Sequence, residues 1–318
     1  MSTNITLGGV SVPIYDCPPE WEFLVPAEED YEPQGHEVAA LAVAYKHHQP
    51  IAFVGPTGSG KNGLVRWFLN KVRRPMFLVS AAEGTGIDQF IGSVVPTGMK
   101  SGGFTVEFRY GALPLSILSG GCLVIDELNA ADPRVLMRLH DFLANGERLT
   151  IYEDPRNDGK YISPLDPQRN HNGWFAIATM NPADTGQYVG TTQLNEATLD
   201  RFLVYELGYL GLVNPEKEAQ VIAHRAGIKA GKALRIVQVM NTVRRRARMT
   251  DDELAKTGSS PIFATASTRR AIAIGLLSKD MPIMRAVEIG FVNKLNNEDR
   301  PVVHKLFLDQ FASDGGVD

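Results

Sequence analysis

A glycine-rich segment constrains the possible folds of this chain more than any other feature. It reads Gly55-Pro56-Thr57-Gly58-Ser59-Gly60-Lys61-Asn62 and stands between the apolar run 51–54 and a helical pattern that includes Leu64 and Phe68. Glycines let consecutive backbone amides turn toward one phosphate, a helix start adds positive potential, and a lysine supplies a mobile charge for the β and γ phosphates. A glycine turn in an ordinary loop is the alternative, but the strand before it and the helix after it favour a phosphate-binding loop.

One position of this loop departs from the usual pattern. The residue after the lysine is normally Ser or Thr, whose hydroxyl binds Mg²⁺, and here it is Asn62. An amide oxygen is also a hard ligand, but the side chain is longer. Three interpretations stay open: Asn62 binds Mg²⁺ through its carbonyl oxygen, a water bridges the two, or hydrolysis is impaired.

Short apolar runs alternate with helical patterns from residue 51 to about residue 210. Strands that alternate with helices favour a parallel sheet covered on both faces. After Leu210 only helical patterns follow, near 233–247, 268–279, 284–294 and 298–311, and Asn214-Pro215 is typical of a helix start. The predicted strands are Ile51–Val54, Met76–Val79, Cys122–Ile125, Trp174–Thr179 and Phe202–Leu207.

These patterns predict an α/β protein in three parts. Residues 1–35 are rich in proline and are predicted to be an irregular extension. An αβα sandwich of the P-loop NTPase class, with a parallel sheet, is expected over residues 36–210. A small all-α domain is expected over residues 211–318.

Polar residues follow two of the predicted strands. Asp126 and Glu127 come after the run 122–125, where the aspartate can hold Mg²⁺ through water and the glutamate can polarise the attacking water. Acidic residues often solvate strand ends, so the pair gains weight only beside a phosphate loop. Asn181 follows the run 174–179, and its amide can orient the attacking water or contact the γ phosphate. An ordinary Asn-Pro turn is the alternative there.

A single arginine and an arginine-rich stretch say little about function when each is taken alone. Arg201 lies in Leu199-Asp200-Arg201-Phe202, which in isolation indicates a surface ion pair. The most basic stretch is Arg244-Arg245-Arg246-Ala247-Arg248, and a solvated helix end is its favoured interpretation over a phosphate contact.

Composition excludes several classes of protein. The 318 residues include 32 basic and 36 acidic ones, for a formal charge of −4, which argues against a chain wrapped in nucleic acid. No apolar run is long enough to span a membrane, and no cationic segment followed by an apolar one suggests a secretion signal. Two cysteines suit a reducing compartment. We therefore expect a soluble, cytoplasmic protein.

The order of the parts resembles that of an AAA+ ATPase. The phosphate loop is followed by Leu-Val-Ile-Asp-Glu at 123–127, Ala-Thr-Met-Asn-Pro at 178–182, Asp-Arg-Phe at 200–202 and a helical lid. Segments near 100–112 and at 147–163, the latter with Asn157-Asp158-Gly159 as its turn, resemble the two hairpins of the MoxR branch. The stretch 188–202, followed by Tyr209-Leu210, is most similar to the ATPase subunit of aerobic cobaltochelatase, the CobS type.

The resemblance implies roles for individual residues. The loop residues Gly55, Pro56, Thr57, Gly58, Ser59, Gly60, Lys61 and Asn62 would bind ATP, and Asp126 with Asn62 would hold Mg²⁺. Glu127 would activate water, Asn181 would be sensor 1, and Arg201 would be the arginine finger that reaches a neighbouring subunit. Arg269 would be sensor 2, although Thr268 in place of the usual proline and the adjacent Arg270 leave that register open.

An arginine that acts on a neighbour implies a closed homo-oligomeric ring, and we expect a hexamer. The family also implies a protein partner that carries a von Willebrand A-like domain. Three functions follow: an ATP-driven motor that remodels a partner or drives a metal-insertion complex, a nucleotide-binding ring scaffold with little hydrolysis, which Asn62 favours, and a nucleic-acid-coupled motor, which the net charge disfavours.

Overall fold

In the computed structural model of the chain, residues 3–82, 84–100, 103–132, 135–137, 139, 143, 149–152, 154, 161–162, 174–182, 194 and 196–312 are described. The chain divides into two compact units. The first contains the residues up to Tyr31, Gly35–Gly55 and Lys61–Glu206. The second contains Glu32–Gln34, Pro56–Gly60 and the chain from Leu207 onward. The domain boundaries at residues 35 and 210 stay a prediction.

A five-stranded parallel sheet forms the centre of the first unit. Its strand order is β11-β3-β10-β7-β4, so all five predicted strands are present and the α/β fold class is confirmed. The elements of the first unit are β1 (Asn4–Leu7), β2 (Val10–Pro13), α1 (Glu37–Lys46), β3 (Ile51–Val54), α2 (Lys61–Lys71), β4 (Met76–Ser80), α3 (Ile87–Phe90), β5 (Gly92–Lys100), β6 (Gly103–Tyr110), α4 (Ala112–Ser119), β7 (Cys122–Asp126), β8 (Leu149–Thr150), β9 (Tyr161–Ile162), β10 (Phe175–Met180), α5 (Glu196–Leu199) and β11 (Leu203–Glu206).

Both faces of the three central strands, β3, β10 and β7, are buried, as their apolar sequences require. Successive side chains of a strand point to opposite faces, and in β7 Leu123 and Ile125 join one apolar cluster while Cys122 and Val124 join the other. The first cluster includes residues of α4, and the second includes residues of α1 and α2. The sheet therefore lies between two helical layers, the arrangement expected for parallel strands.

The N-terminal segment, predicted to be irregular, instead contains the antiparallel pair β1–β2. Val12 and Tyr15 are buried, the Tyr15 hydroxyl donates to the Ser119 carbonyl at 2.5 Å, and the Arg74 guanidinium lies 4.6 Å from the Tyr15 ring centroid. This segment is therefore part of the first unit rather than an extension to it. The sequence did not indicate these short strands because the segment contains many prolines, which are typical of loops.

Two antiparallel hairpins accompany the sheet. β5 and β6 pair from Gly92 opposite Tyr110 to Lys100 opposite Gly103, so this hairpin begins earlier than the predicted segment 100–112. In the second hairpin Leu149 lies opposite Ile162 and Thr150 opposite Tyr161. Its predicted turn, Asn157-Asp158-Gly159, lies outside the described residues, as do residues 188–193 of the cobaltochelatase-like stretch.

The second unit is helical from Leu210 onward in the part of the chain that is described. The Asn214 side chain accepts from the Lys217 amide at 3.0 Å, which is the predicted start of a helix, whereas the helix that begins after Thr250 was not predicted. None of the described helices is long and apolar enough to cross a membrane. The helices are α6 (Leu210–Val213), α7 (Pro215–Ala226), α8 (Ala230–Arg246), α9 (Asp251–Thr257), α10 (Thr268–Leu277), α11 (Ile283–Gly290) and α12 (Asp299–Phe311).

The arginine-rich end of α8 corrects the expectation of a solvated helix end. Arg245 and Arg248 are exposed, but the side chain of Arg244 is only 1% exposed and forms an ion pair with the fully buried Glu218 of α7. A buried arginine needs such a partner, because an unpaired charge away from water is costly. The partner lies 26 residues earlier in the chain, so no local pattern reveals it.

Candidate active site

The carboxyl ends of neighbouring strands bring three predicted site segments of the first unit together. Gly55 follows β3, Asp126 ends β7, and Asn181 follows β10, which lies between β3 and β7 in the sheet. The Gly55 amide donates to the carbonyl of Met180 at 3.1 Å, which ties the start of the loop to the end of β10. In open α/β sheets this edge is where ligands bind.

A short chain of hydrogen bonds joins the predicted phosphate-binding lysine to the predicted water-activating glutamate. Lys61 is buried, and its ammonium group donates to the Gly55 carbonyl at 2.6 Å and to Asn181 Oδ1 at 3.1 Å. Asn181 Nδ2 donates to both carboxylate oxygens of Glu127, at 2.8 and 2.9 Å. Because a lysine only donates and a carboxylate only accepts, these partners determine the orientation of the Asn181 amide.

Glu127 has an unusual backbone conformation and an unusual acidity. Its φ of 57° and ψ of 48° place it in the left-handed region, which residues other than glycine rarely adopt and which recurs at functional sites. Burial raises the pKa of the Glu127 carboxyl, and the Asp126 charge raises it further, against the opposing effects of Lys61 and Asn181. A carboxylate with a raised pKa accepts a proton from water more readily.

Both carboxylate oxygens of Asp126 have a hydrogen-bond donor in the first unit. Asn62 Nδ2 donates to Oδ2 at 2.9 Å, and the Thr179 hydroxyl donates to Oδ1. Thr179 is almost fully buried, and sequence reasoning gave it no role beyond its place in a buried strand. Its place beside Asp126 is visible only in the sheet register, in which the preceding residue, Ala178, lies opposite Ile125 on the neighbouring strand. Asp126 is thus held in one orientation at the edge of the sheet.

The crest of the loop, Pro56–Gly60, belongs to the second unit. Gly58 and Gly60 have φ values of 74° and 102°, which glycine adopts without strain. The Ser59 hydroxyl is buried and has no hydrogen-bond partner among the described residues. The Tyr209 hydroxyl donates to the Thr57 carbonyl at 3.0 Å. A buried hydroxyl without a partner, within a turn of glycines, is an arrangement that suits an oxyanion ligand.

The two arginines at the start of α10 have different surroundings. Arg269 is exposed. Arg270 turns back into its own unit, where Nη1 donates to the Thr265 carbonyl at 2.8 Å and the guanidinium lies 5.1 Å from the Phe291 ring centroid. Arg269 is therefore the more accessible of the two arginines, and it is the one predicted to be sensor 2.

Arg201 lies at the opposite edge of the sheet from the other site residues of the first unit. It stands two residues before β11, and β11 starts beside the amino end of β3, with Leu203 opposite Ile51. The strands are four residues long here, so about 13 Å of sheet separates this edge from the carboxyl edge. Arg201 is partly exposed, and its Nη1 donates to the carbonyl of Ala197.

The residues present fit ATP and Mg²⁺. For phosphates, the second unit offers glycines with positive φ and the Ser59 hydroxyl, which has no partner in the part of the chain that is described, and the first unit offers the Lys61 ammonium group. Magnesium is held by one or two carboxylates together with phosphate oxygens, and Asp126 with the amide oxygen of Asn62 is a donor set of that kind. The first two interpretations of Asn62 therefore remain compatible with its contact to Asp126.

Comparison with known proteins agrees with this geometry. The AAA domain of the dynein-related subfamily matches residues 50–202, and the CbbQ/NirQ/NorQ C-terminal family matches residues 218–306. Protein YojN of Bacillus subtilis is 27% identical over 282 residues, which are 88% of this chain and 84% of that protein. CbbQ of Hydrogenophilus thermoluteolus is 25% identical over 69% of this chain and 74% of its own length. The denitrification regulatory protein NirQ of Pseudomonas aeruginosa is 23% identical over 71% and 79%.

The two family matches together span most of the chain and follow each other in the order of the sheet unit and the helical unit. They agree with the phosphate loop and with the carboxylates and amide found beside it. This chain belongs to the AAA+ ATPases of the MoxR branch, a family that hydrolyses ATP with Mg²⁺.

Proposed function

We propose that this ATPase assembles into a ring, most simply a hexamer, and hydrolyses ATP at its subunit interfaces to remodel a protein partner. The observation that carries the proposal is the position of Arg201, at the edge of the sheet opposite to Lys61 and Glu127. An arginine so placed is too far from the loop of its own chain to stabilise charge there. It is well placed to serve a neighbouring copy.

The strand that follows Arg201 supports a subunit interface on this side of the sheet. β11 is one of the two outer strands of the sheet, and its Leu203 and Val204 are 47% and 50% exposed. Apolar side chains on an exposed strand edge invite association with another chain. A neighbouring subunit seated there would cover these side chains and receive Arg201 at its phosphate loop.

Each residue of the site has a definite task in this proposal. The loop 55–62 and the Lys61 ammonium group hold the triphosphate, with Asp126 and Asn62 as the residues that would hold Mg²⁺. The metal, when bound, neutralises phosphate charge. Glu127 accepts the proton of the attacking water, and Asn181 keeps the Glu127 carboxylate oriented through its two hydrogen bonds. Arg269 and the neighbour's arginine stabilise the charge of the transferring phosphoryl group.

We expect Arg201→Ala to lower ATP turnover by about 10³-fold or more, the effect typical of an arginine finger, while ATP affinity changes little. Steady-state phosphate release and calorimetric titration measure the two quantities. The exposed Arg245→Ala is the matched control, and its turnover should equal that of the wild type.

A mixing experiment separates action on a neighbour from action within one chain. Arg201→Ala and Glu127→Gln chains are each expected to be inactive. An Arg201→Ala chain retains Glu127, and a Glu127→Gln chain retains Arg201. A mixed ring therefore contains complete interfaces, in which the loop of the first chain meets the arginine of the second. Mixing should therefore restore part of the activity, and a mixture as inactive as its components would contradict the proposal.

The partner is inferred from the family resemblance rather than from a contact in the structure. Val94 and Val106 are 43% and 52% exposed on the same face of the hairpin β5–β6, which leaves an apolar surface for another protein. We propose a partner with a von Willebrand A-like domain, and a metal-insertion complex of the cobaltochelatase kind is the narrower version. Co-purification from native cells in the presence of ATP tests both, since the two versions predict different proteins in the recovered complex.

A nucleotide-binding scaffold with little hydrolysis is the second candidate, and Asn62 is the observation that favours it. Its amide donates to Asp126 where a Ser or Thr hydroxyl would normally meet the metal. For a working motor we expect Mg²⁺-dependent phosphate release from the native chain, and less than a tenfold change in turnover for Asn62→Thr. A silent native chain together with an active Asn62→Thr variant would establish the scaffold instead.

A further inference from the structure

The crest of the phosphate loop is hydrogen-bonded to a tyrosine that follows β11. Loop amides can turn toward a phosphate only when the carbonyls of the same peptides turn away, and carbonyls that turn away need donors. The Thr57 carbonyl accepts from the Tyr209 hydroxyl at 3.0 Å, and Tyr209 is itself buried. This bond joins residues 152 positions apart within the second unit.

The tyrosine is held by the buried ion pair of α7 and α8. The Arg244 guanidinium carbon lies 4.2 Å from the Tyr209 ring centroid, a cation–π contact. Arg244 forms two bonds with Glu218, at 2.6 and 2.8 Å, and donates to the Ala266 carbonyl and to Asn241 Oδ1 at 2.7 and 2.8 Å. The bidentate pair and the further bonds hold the Arg244 guanidinium in one orientation, so the face that it presents to the Tyr209 ring is fixed.

The same ion pair also reaches the start of α10 and, through it, the loop again. Glu218 Oε1 accepts from the hydroxyl of Thr268, the first residue of α10. Ser267, which caps this helix, lies against the loop so closely that a Cβ added at Gly58 would stand 2.5 Å from the Ser267 Cβ. Two contacts on the loop, one at Thr57 and one at Gly58, therefore share one buried network.

We propose that Tyr209 is a positioning residue for nucleotide binding, and that Arg244, Glu218 and Thr268 form the network through which the loop crest and the start of α10 are held together. Because Arg269 follows Thr268, this network also sets the place of the exposed arginine assigned to sensor 2. The inference rests on the proposed use of the loop and Arg269 for ATP. It does not require a ring or a partner.

The test is Tyr209→Phe, which keeps the ring over Arg244 and removes only the hydroxyl. Loss of one hydrogen bond is expected to weaken the affinity of the full chain for both ATP and ADP by about three- to tenfold in calorimetric titration. The melting temperature without nucleotide should stay near that of the wild type. Turnover at saturating ATP should also change little, because the chemical step uses other residues.

Tyr45→Phe is the matched control. The Tyr45 hydroxyl also donates to a backbone carbonyl, that of Pro13 at 3.3 Å, but this bond lies in the core beneath the N-terminal hairpin. We expect this variant to bind ATP as the wild type does. An affinity of Tyr209→Phe within twofold of the wild type, or an equal loss in Tyr45→Phe, would overturn the proposal.

A double-mutant cycle tests the network itself. Thr268→Val removes the hydroxyl that joins α10 to Glu218, and we expect it to weaken nucleotide affinity to a similar degree. If the two contacts belong to one network, the double variant Tyr209→Phe/Thr268→Val loses less than the product of the single losses. Independent, multiplicative losses would show that the tyrosine and the helix act separately, which contradicts the proposal.

These measurements are separable from the test of the ring. A wild-type chain that binds ATP and fails the mixing experiment contradicts the proposed function and leaves the Tyr209 result interpretable. Equal affinities of wild type and Tyr209→Phe overturn the present inference while the ring proposal stands. A wild-type chain that binds neither ATP nor ADP overturns both.

Discussion

Lys61→Ala is expected to weaken ATP binding by at least about 100-fold, out of the range of an ordinary titration. The ammonium group is buried at the carboxyl edge of the sheet, where its contacts to Gly55 and Asn181 hold it beside the loop. Its charge lies where the β and γ phosphates are expected. Alanine leaves the glycine turn without a cation, so the phosphates lose their strongest single contact.

The matched control lies on the same helix. Lys71 ends α2 and forms an exposed ion pair with Glu28 at 2.7 Å. Surface pairs of this kind contribute little, so Lys71→Ala should bind ATP as the wild type does. Comparable losses in the two variants would mean that the effect is one of general stability or charge. Retained binding by Lys61→Ala would remove the loop from its assigned role.

Glu127→Gln is expected to lower turnover by about 10²- to 10⁴-fold while the dissociation constant for ATP stays within about threefold. Glutamine keeps the size of the side chain and can still contact Asn181, but it cannot accept a proton from water. Phosphate release gives the turnover, and titration of the same preparation gives the affinity. The exposed Glu216→Gln, on the first turn of α7, is the control and should retain full activity.

The pH dependence of the wild type follows from the raised pKa of Glu127. A general base must be deprotonated, so turnover should fall as the pH drops through a value above the ordinary glutamate pKa of 4.5. This fall in turnover at low pH, the acid limb of the pH profile, should be absent from the residual activity of Glu127→Gln. Normal turnover in the glutamine variant, or an acid limb that it shares with the wild type, would assign the proton to another group.

The raised pKa of Glu127 also affects the stability of the folded chain. Since the folded pKa of Glu127 lies above the unfolded value, the folded chain binds the proton more tightly, and this carboxylate destabilises the fold as the pH rises above about 4.5. Glutamine carries no charge to bury. The melting temperature of Glu127→Gln without nucleotide should therefore be higher than that of the wild type at neutral pH, and equal to it at acidic pH.

Much of the sheet and its active edge could be predicted from the sequence because the evidence there is local. Each buried strand is a continuous apolar run, and Gly55, Asp126 and Asn181 each stand at the end of one. Parallel pairing then places all three ends at one edge. The type of each residue, read with its place after a strand, is what indicated a role in the site.

The features that could not be predicted depend on pairing between distant residues. Thr179 resembles any polar residue in a strand until the register places it beside Asp126. Arg244 resembles its exposed neighbours until Glu218 is found facing it. The left-handed backbone of Glu127 has no local sequence cue either, since such conformations usually fall on glycine. These properties arise from tertiary packing rather than from spacing.

The N-terminal strand pair has a consequence for how the chain folds during synthesis. The Tyr15 hydroxyl bonds to Ser119, 104 residues later, and its ring stacks with Arg74. Contacts of such high sequence separation cannot form until the later segment has left the ribosome. Residues 4–15 are thus translated early. Leu7 and Val12 can pack against α1 soon afterwards, since they share its apolar cluster, but the Tyr15 hydroxyl cannot bond to Ser119 until α4 has emerged.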